Sequence, residues 1–127
     1  MLVRAALSVF ALVQAAIGVW MVAAPTSFFD HVGAFGVRND HYLRDVATFY
    51  LASAVVAAVA VRRPSWRAPV LTFAALQYGL HALNHVRDAG SAHASTSGVG
   101  DAVSLAIGAA LLGWLAWRSA REPEGLR

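Results

Sequence analysis

Four apolar runs of roughly 16–23 residues dominate this chain, and a run of about 20 is what a helix needs to cross a bilayer. Short polar segments separate them, and together they take up most of the 127 residues. A soluble bundle would show a polar face every three or four residues, and most of this sequence does not. Composition agrees, with 58% hydrophobic and only 13% charged residues, against about 25% charged in an ordinary soluble domain. These features exclude a soluble enzyme, a nucleic-acid binder and a disordered tail. They predict an all-α fold: a four-transmembrane-helix antiparallel bundle forming a single membrane domain over residues 1–127.

The spans are expected at about 2–24, 41–61, 68–88 and 101–117. The first stops at Pro25, which cannot continue a helix. The second and third are joined by the basic turn Arg62-Arg63-Pro64-Ser65-Trp66-Arg67, with Pro69 tolerated in the first turn of the third. A Gly/Ser/Ala-rich loop, 89–100, precedes the fourth. The first span has an apolar core longer than the usual signal-peptide core of about 7–15 residues, so it is expected to remain as a span.

With four crossings, both termini share a side with the turn between spans two and three. That side holds Arg4, Arg62, Arg63, Arg67, Arg118, Arg121 and Arg127, whereas the other holds Arg38, Arg44 and Arg87. The bias of basic residues toward the cytoplasm therefore places both termini there. Trp66, Trp114 and Trp117 fall where an inner interfacial belt would lie. The ten basic residues are all Arg, which together with the high Ala content suggests a bacterial, GC-rich source and the inner membrane. The absence of cysteine excludes thiol redox chemistry and any thiolate-ligated cofactor.

The outward side collects Asp30, Asp40, Asp45, Asp88 and Asp101, with all five histidines: His31, His41, His81, His85 and His93. Asn39, Asp40 and Asp101 read as helix N-caps. The third span is less easily explained by its ends. Gln77, His81, Asn84 and Asp88 fall within an arc of about 60°, with His85 beside it. His81 lies about 10 Å deeper than Asp88, and Gln77 about 16 Å deeper. Polar groups at such depth are costly unless paired or lining a cavity, so the stripe is expected to face the bundle interior. The tight turn makes spans two and three antiparallel neighbours, which sets His41, Arg44 and Asp45 level with Asn84, His85 and Asp88. Arg44–Asp88 and Asp45 with His81 or His85 are the expected charge-assisted pairs. Gln14 in the first span lies at a depth similar to Gln77.

Three readings of this cluster stand side by side. It is a hydrogen-bond and ion-pair network locking two helices together, a pocket for a small polar, quinone-like or lipid-like ligand, or a metal or haem site. His81, His85 and Asp88 offer two imidazoles and a carboxylate, a set that suits zinc or non-haem iron. The H-x-x-x-H spacing is common by chance and lacks the intervening glutamate of a zincin helix. Haem ligation by two histidines would need one on a facing helix, where His41 alone stands, near the surface.

Asn39-Asp40-His41-Tyr42-Leu43-Arg44-Asp45, with Tyr50 one turn in, and the turn Arg62-Arg63-Pro64-Ser65-Trp66-Arg67 give the chain a resemblance to the small four-helix DoxX-like membrane proteins. The resemblance covers almost the whole chain in topology. It implies the four-helix membrane fold, and some relatives are linked to quinone or sulfur-oxidation complexes. Two functions follow as expectations. One is an outward-facing site binding a metal, haem or quinone-like ligand. The other is a non-catalytic accessory subunit, a homo-oligomer or part of a larger membrane complex, with Gly18, Gly79, Gly108 and Gly113 allowing close packing.

Overall fold

Proline sets two of the helix boundaries in the structure, a computed structural model that describes residues 1–33, 36–88 and 97–121, with backbone alone at 97 and 98. Helix α1 (Leu2–Ala23) ends just before Pro25. Pro25 then opens a second helix, α2 (Pro25–His31), at the position where a missing N–H costs nothing. No apolar run marks this seven-residue helix in the sequence. A hydrogen bond from Trp20 Nε1 to Ser27 Oγ (3.2 Å) folds α2 back onto the end of α1.

Helix α3 (Asp40–Arg62) begins with the expected cap: Asn39 Oδ1 accepts from the backbone N–H groups of His41 and Tyr42, both at 3.1 Å. Asp40 is not a cap; its carboxylate pairs with Arg38 at 2.9 Å. A 3-10 turn, Pro64–Trp66, leads to α4 (Arg67–Arg87). Arg67 is buried, and its guanidinium reaches back to the carbonyls of Ala60 (3.4 Å) and Val61 (3.5 Å). It thus places positive charge at the negative end of α3. Helix α5 (Ser97–Ala120) starts a turn before the expected 101 and runs past 117.

The described residues are all-helical. Three helices, α1, α3 and α5, are long and apolar enough to cross a membrane. Helix α4 has comparable length but carries Gln77, His81, Asn84 and His85. In each of the three, only 22% of the most apolar window is buried inside the protein. Leu12, Val55, Ile107 and Leu111 are among the large side chains on the outside.

Helix pairing departs from the sequence reading. Helix α1 packs antiparallel along α3, and α4 along α5, whereas α3 and α4 make few contacts although one turn joins them. Small residues decide this. Gly18 lies where a Cβ would stand 2.8 Å from Leu51 Cγ and 3.2 Å from the Ala47 carbonyl, and Ala47, Ala54, Ala57 and Ala60 line the buried face of α3. Across α4–α5, Gly108 meets the Tyr78 ring, a Cβ there being 2.9 Å from Cδ1. Backbones approach closely at such surfaces and gain van der Waals contact.

All four long helices meet at the end that carries the N-terminus, in a core of Val3, Leu7, Ala57, Leu71 and Leu115. At the distal end, among the described residues, a second core of Met21, Phe28, Leu43 and Ala47 joins α1, α2 and α3. The two helix pairs therefore part toward the distal end, and the space between them is the candidate site.

Candidate functional site: the distal cavity

A cavity of about 550 Å³ occupies this gap. One wall is apolar, built by Ile17 and Met21 of α1, Phe28 and Phe29 of α2, and Leu43 and Val46 of α3. The facing wall is polar, with His81 and His85 from α4 and Asp101 and Ser104 from α5. Tyr50 and Tyr78 also line it. Phe28 belongs to the buried core and Phe29 lines this wall beside it.

The histidine wall has a defined geometry. The Nε2 atoms of His81 and His85 stand 3.1 Å apart, one turn from each other on α4. Two bare imidazole lone pairs repel at that distance, so one nitrogen carries a proton and donates to the other. His85 Nδ1 lies 3.9 Å from Asp101 Oδ2, with the His85 side chain 13% and the Asp101 side chain 46% exposed. Because α5 begins at Ser97, Asp101 sits in its second turn and faces α4 instead of capping the helix.

The sequence-derived cluster divides. His81 and His85 turn inward to the cavity. Asn84 and Asp88, on the same arc by angle, are exposed. Gln77 lines a separate apolar cleft of about 440 Å³ between α3 and α4, together with Gln14, Phe49 and Phe73. On α3, His41 and Asp45 pair with each other at 3.5 Å on the surface, at 82% and 63% exposure, and Arg44 is exposed beside them. The expected Arg44–Asp88 and Asp45–His81 or Asp45–His85 pairs are replaced by His41–Asp45 and His85–Asp101. The physical reason is the alanine face of α3. Packing Ala47, Ala54 and Ala57 against α1 turns His41, Asp45 and Thr48 outward.

Among the described residues, no three His, Cys, Asp or Glu side chains are grouped to hold a metal ion. Asp88 stands apart from the histidine pair, so the set His81, His85 and Asp88 is not formed. His93 lies outside the described residues.

Tyr78, Tyr50 and the Asp101 partnership were missed in the sequence. Tyr78 had a legible signal, since 78, 81 and 85 follow the i, i+3, i+7 spacing of one helix face. Tyr78 accepts a 3.0 Å hydrogen bond from Gln14 Nε2, which ties α1 to α4 and stands between the cavity and the cleft.

Residues 2–87 match the family model of a domain of unknown function, DUF4345. The chain belongs to the DUF4345 family. The matched region holds the apolar wall, both cavity histidines and the Gln14–Tyr78 bridge, while Asp101 and Ser104 lie beyond it. Comparison with curated proteins and with solved structures finds no match.

Proposed function

We propose that this DUF4345 protein is a four-span protein of the bacterial inner membrane, both termini cytoplasmic, whose distal cavity binds a small amphiphile with a quinone-like polar head. Helix α4 is the fourth span, its His81 and His85 turned to the cavity and its Leu76, Leu80 and Leu83 to lipid. Support for the membrane setting comes from the apolar outer faces and from the aromatic end of α5. There Arg118 stacks over Trp114 (5.6 Å) and Arg121 over Trp117 (4.2 Å), as side chains do at a bilayer interface. The likeness to DoxX-like proteins is part of the same reading.

The observation that carries the ligand reading is the two-sided cavity. Its volume of about 550 Å³ lies in the range of small-molecule sites, which are mostly apolar with a few convergent polar groups. An aromatic or quinone ring fits between Phe28 and Phe29 on one side and the histidines on the other. Carbonyl or hydroxyl oxygens then meet His81 and Ser104, and the apolar body follows Ile17, Met21 and Val46.

Decylubiquinone titrated into protein in lipid nanodiscs tests this. Trp20 packs edge-on against Phe28 at 5.6 Å, so a bound quinone quenches its fluorescence. Saturable quenching is expected, lost in Trp20→Phe and weakened about tenfold or more in His81→Ala, as removing a buried polar contact implies. Linear, unsaturable quenching equal in all three proteins would end the proposal.

A further inference from the structure

We propose that Asp101, His85 and His81 form a proton relay between the distal water face and the cavity, so that the ligand site exchanges protons with its bound molecule. The inference rests on the ligand reading for its cargo, but the relay itself is a property of the three side chains.

The geometry restricts where protons sit. Asp101, nearly half exposed, stands 3.9 Å from His85 Nδ1, and the nearby negative charge favours a proton on that nitrogen. His85 Nε2 is then an acceptor, and His81 donates to it from its own Nε2 across 3.1 Å. His81 Nδ1 is left bare in a ring that lines the cavity. Adding one proton to the pair changes this. Both Nδ1 atoms then carry hydrogen, and a single proton lies between the two Nε2 atoms. His81 Nδ1 thereby switches from acceptor to donor, and a second added proton would set two N–H groups against each other.

The transfer balances without any redox partner. A ligand hydroxyl gives its proton to His81 Nδ1, breaking O–H and forming N–H. The Nε2 proton of His81 passes to His85 Nε2. The Nδ1 proton of His85 leaves to the Asp101 carboxylate, through a water where the gap stays at 3.9 Å, and on to solvent. Both rings end in the opposite tautomer, and passage in reverse restores them. Among the described residues, the other titratable groups lining the cavity are Tyr42 and Tyr50 of α3 and Tyr78 of α4. This arrangement suits a ligand with an ionisable hydroxyl, such as a phenol or quinol.

Nitrogen NMR of protein with labelled histidine, in nanodiscs and without ligand, tests the relay across a pH titration. The expected spectrum shows His85 protonated at Nδ1 and His81 at Nε2, with the pair taking up one proton where two isolated imidazoles take two. In Asp101→Asn the tautomer preference of His85 is lost. Its exchange with water slows by about tenfold, as losing roughly 1.4 kcal/mol of attraction to a neighbouring carboxylate implies. Asp30→Asn, on the exposed side of α2, leaves both readouts unchanged. His81 and His85 titrating independently, or a stoichiometric metal ion bound to the pair in purified protein, overturns the relay. Decylubiquinone binding in the same samples separates the two proposals. Binding with independent titration removes the relay and keeps the cavity, whereas a coupled pair without quinone binding keeps the relay and removes that ligand.

Discussion

Gln14, 2% exposed in the middle of α1, donates to the Tyr78 hydroxyl of α4 across 3.0 Å. Helices α1 and α4 otherwise touch little, so this bond fastens one helix pair to the other. Breaking it from either side strands a buried polar group. Gln14→Leu and Tyr78→Phe are each expected to destabilise the protein by about 0.6–1.7 kcal/mol, the range for interhelical hydrogen bonds in membranes. The double variant is expected to lose less than the sum, because neither partner is left stranded. Unfolding by denaturing detergent measures the cycle, and strict additivity would mean that the bond contributes nothing.

The glycines separate into two groups. A Cβ at Gly18 or Gly108 meets a neighbour at 2.8 or 2.9 Å, whereas one at Gly79 or Gly113 meets an alanine Cβ at 3.9 Å. Gly18→Ala and Gly108→Ala should each cost about 1–3 kcal/mol through overpacking. Gly18→Ala is the harder to absorb, since the Ala47 carbonyl also stands 3.2 Å away and belongs to the backbone. Gly79→Ala and Gly113→Ala should be neutral or stabilising by up to about 1 kcal/mol through helix propensity. Thermal unfolding of the four variants in one lipid mixture checks the ordering.

Arg67 is the one arginine of the α3–α4 turn that is buried, while Arg62 and Arg63 are not. Arg67→Ala removes the donors facing the Ala60 and Val61 carbonyls and is expected to cost about 1–3 kcal/mol. Arg63→Ala should change stability by less than about 0.5 kcal/mol. Equal effects in the two unfolding curves would remove the capping role.

The His41–Asp45 pair faces outward at 82% and 63% exposure. An ion pair so placed contributes little, and the His41→Ala, Asp45→Ala double variant should lie within about 0.5 kcal/mol of the parent. It should also bind decylubiquinone as the parent does. A binding loss comparable to that of His81→Ala would return α3's polar end to the site.

Much of the site was legible one residue at a time and illegible as a set. His81 and His85 stand out because histidines in a largely apolar helix need a partner or a cavity to face. Their partner was not readable. Asp45 and Asp101 are both acids near the distal end, and only the start of α5 at Ser97 and the pairing of α4 with α5 bring Asp101 to His85. Asp88 was misassigned for a related cause, since the arc it shares with His81 is wide enough to straddle the edge of the buried face.

Helix positions followed from local chemistry: apolar runs, Pro25 and Pro64 as breaks, and Asn39 as a cap act within a few residues of where they sit. Which helices lie side by side is a different kind of question. Alanine and glycine faces on α1, α3, α4 and α5 are interchangeable at helical spacing, and a short turn makes α3 and α4 consecutive without making them pack. Close approach at Gly18 and Gly108 selects the α1–α3 and α4–α5 pairs, because contact energy there depends on the shapes of two surfaces at once. That selection, absent from any single stretch of chain, opens the distal cavity and aims the histidines into it.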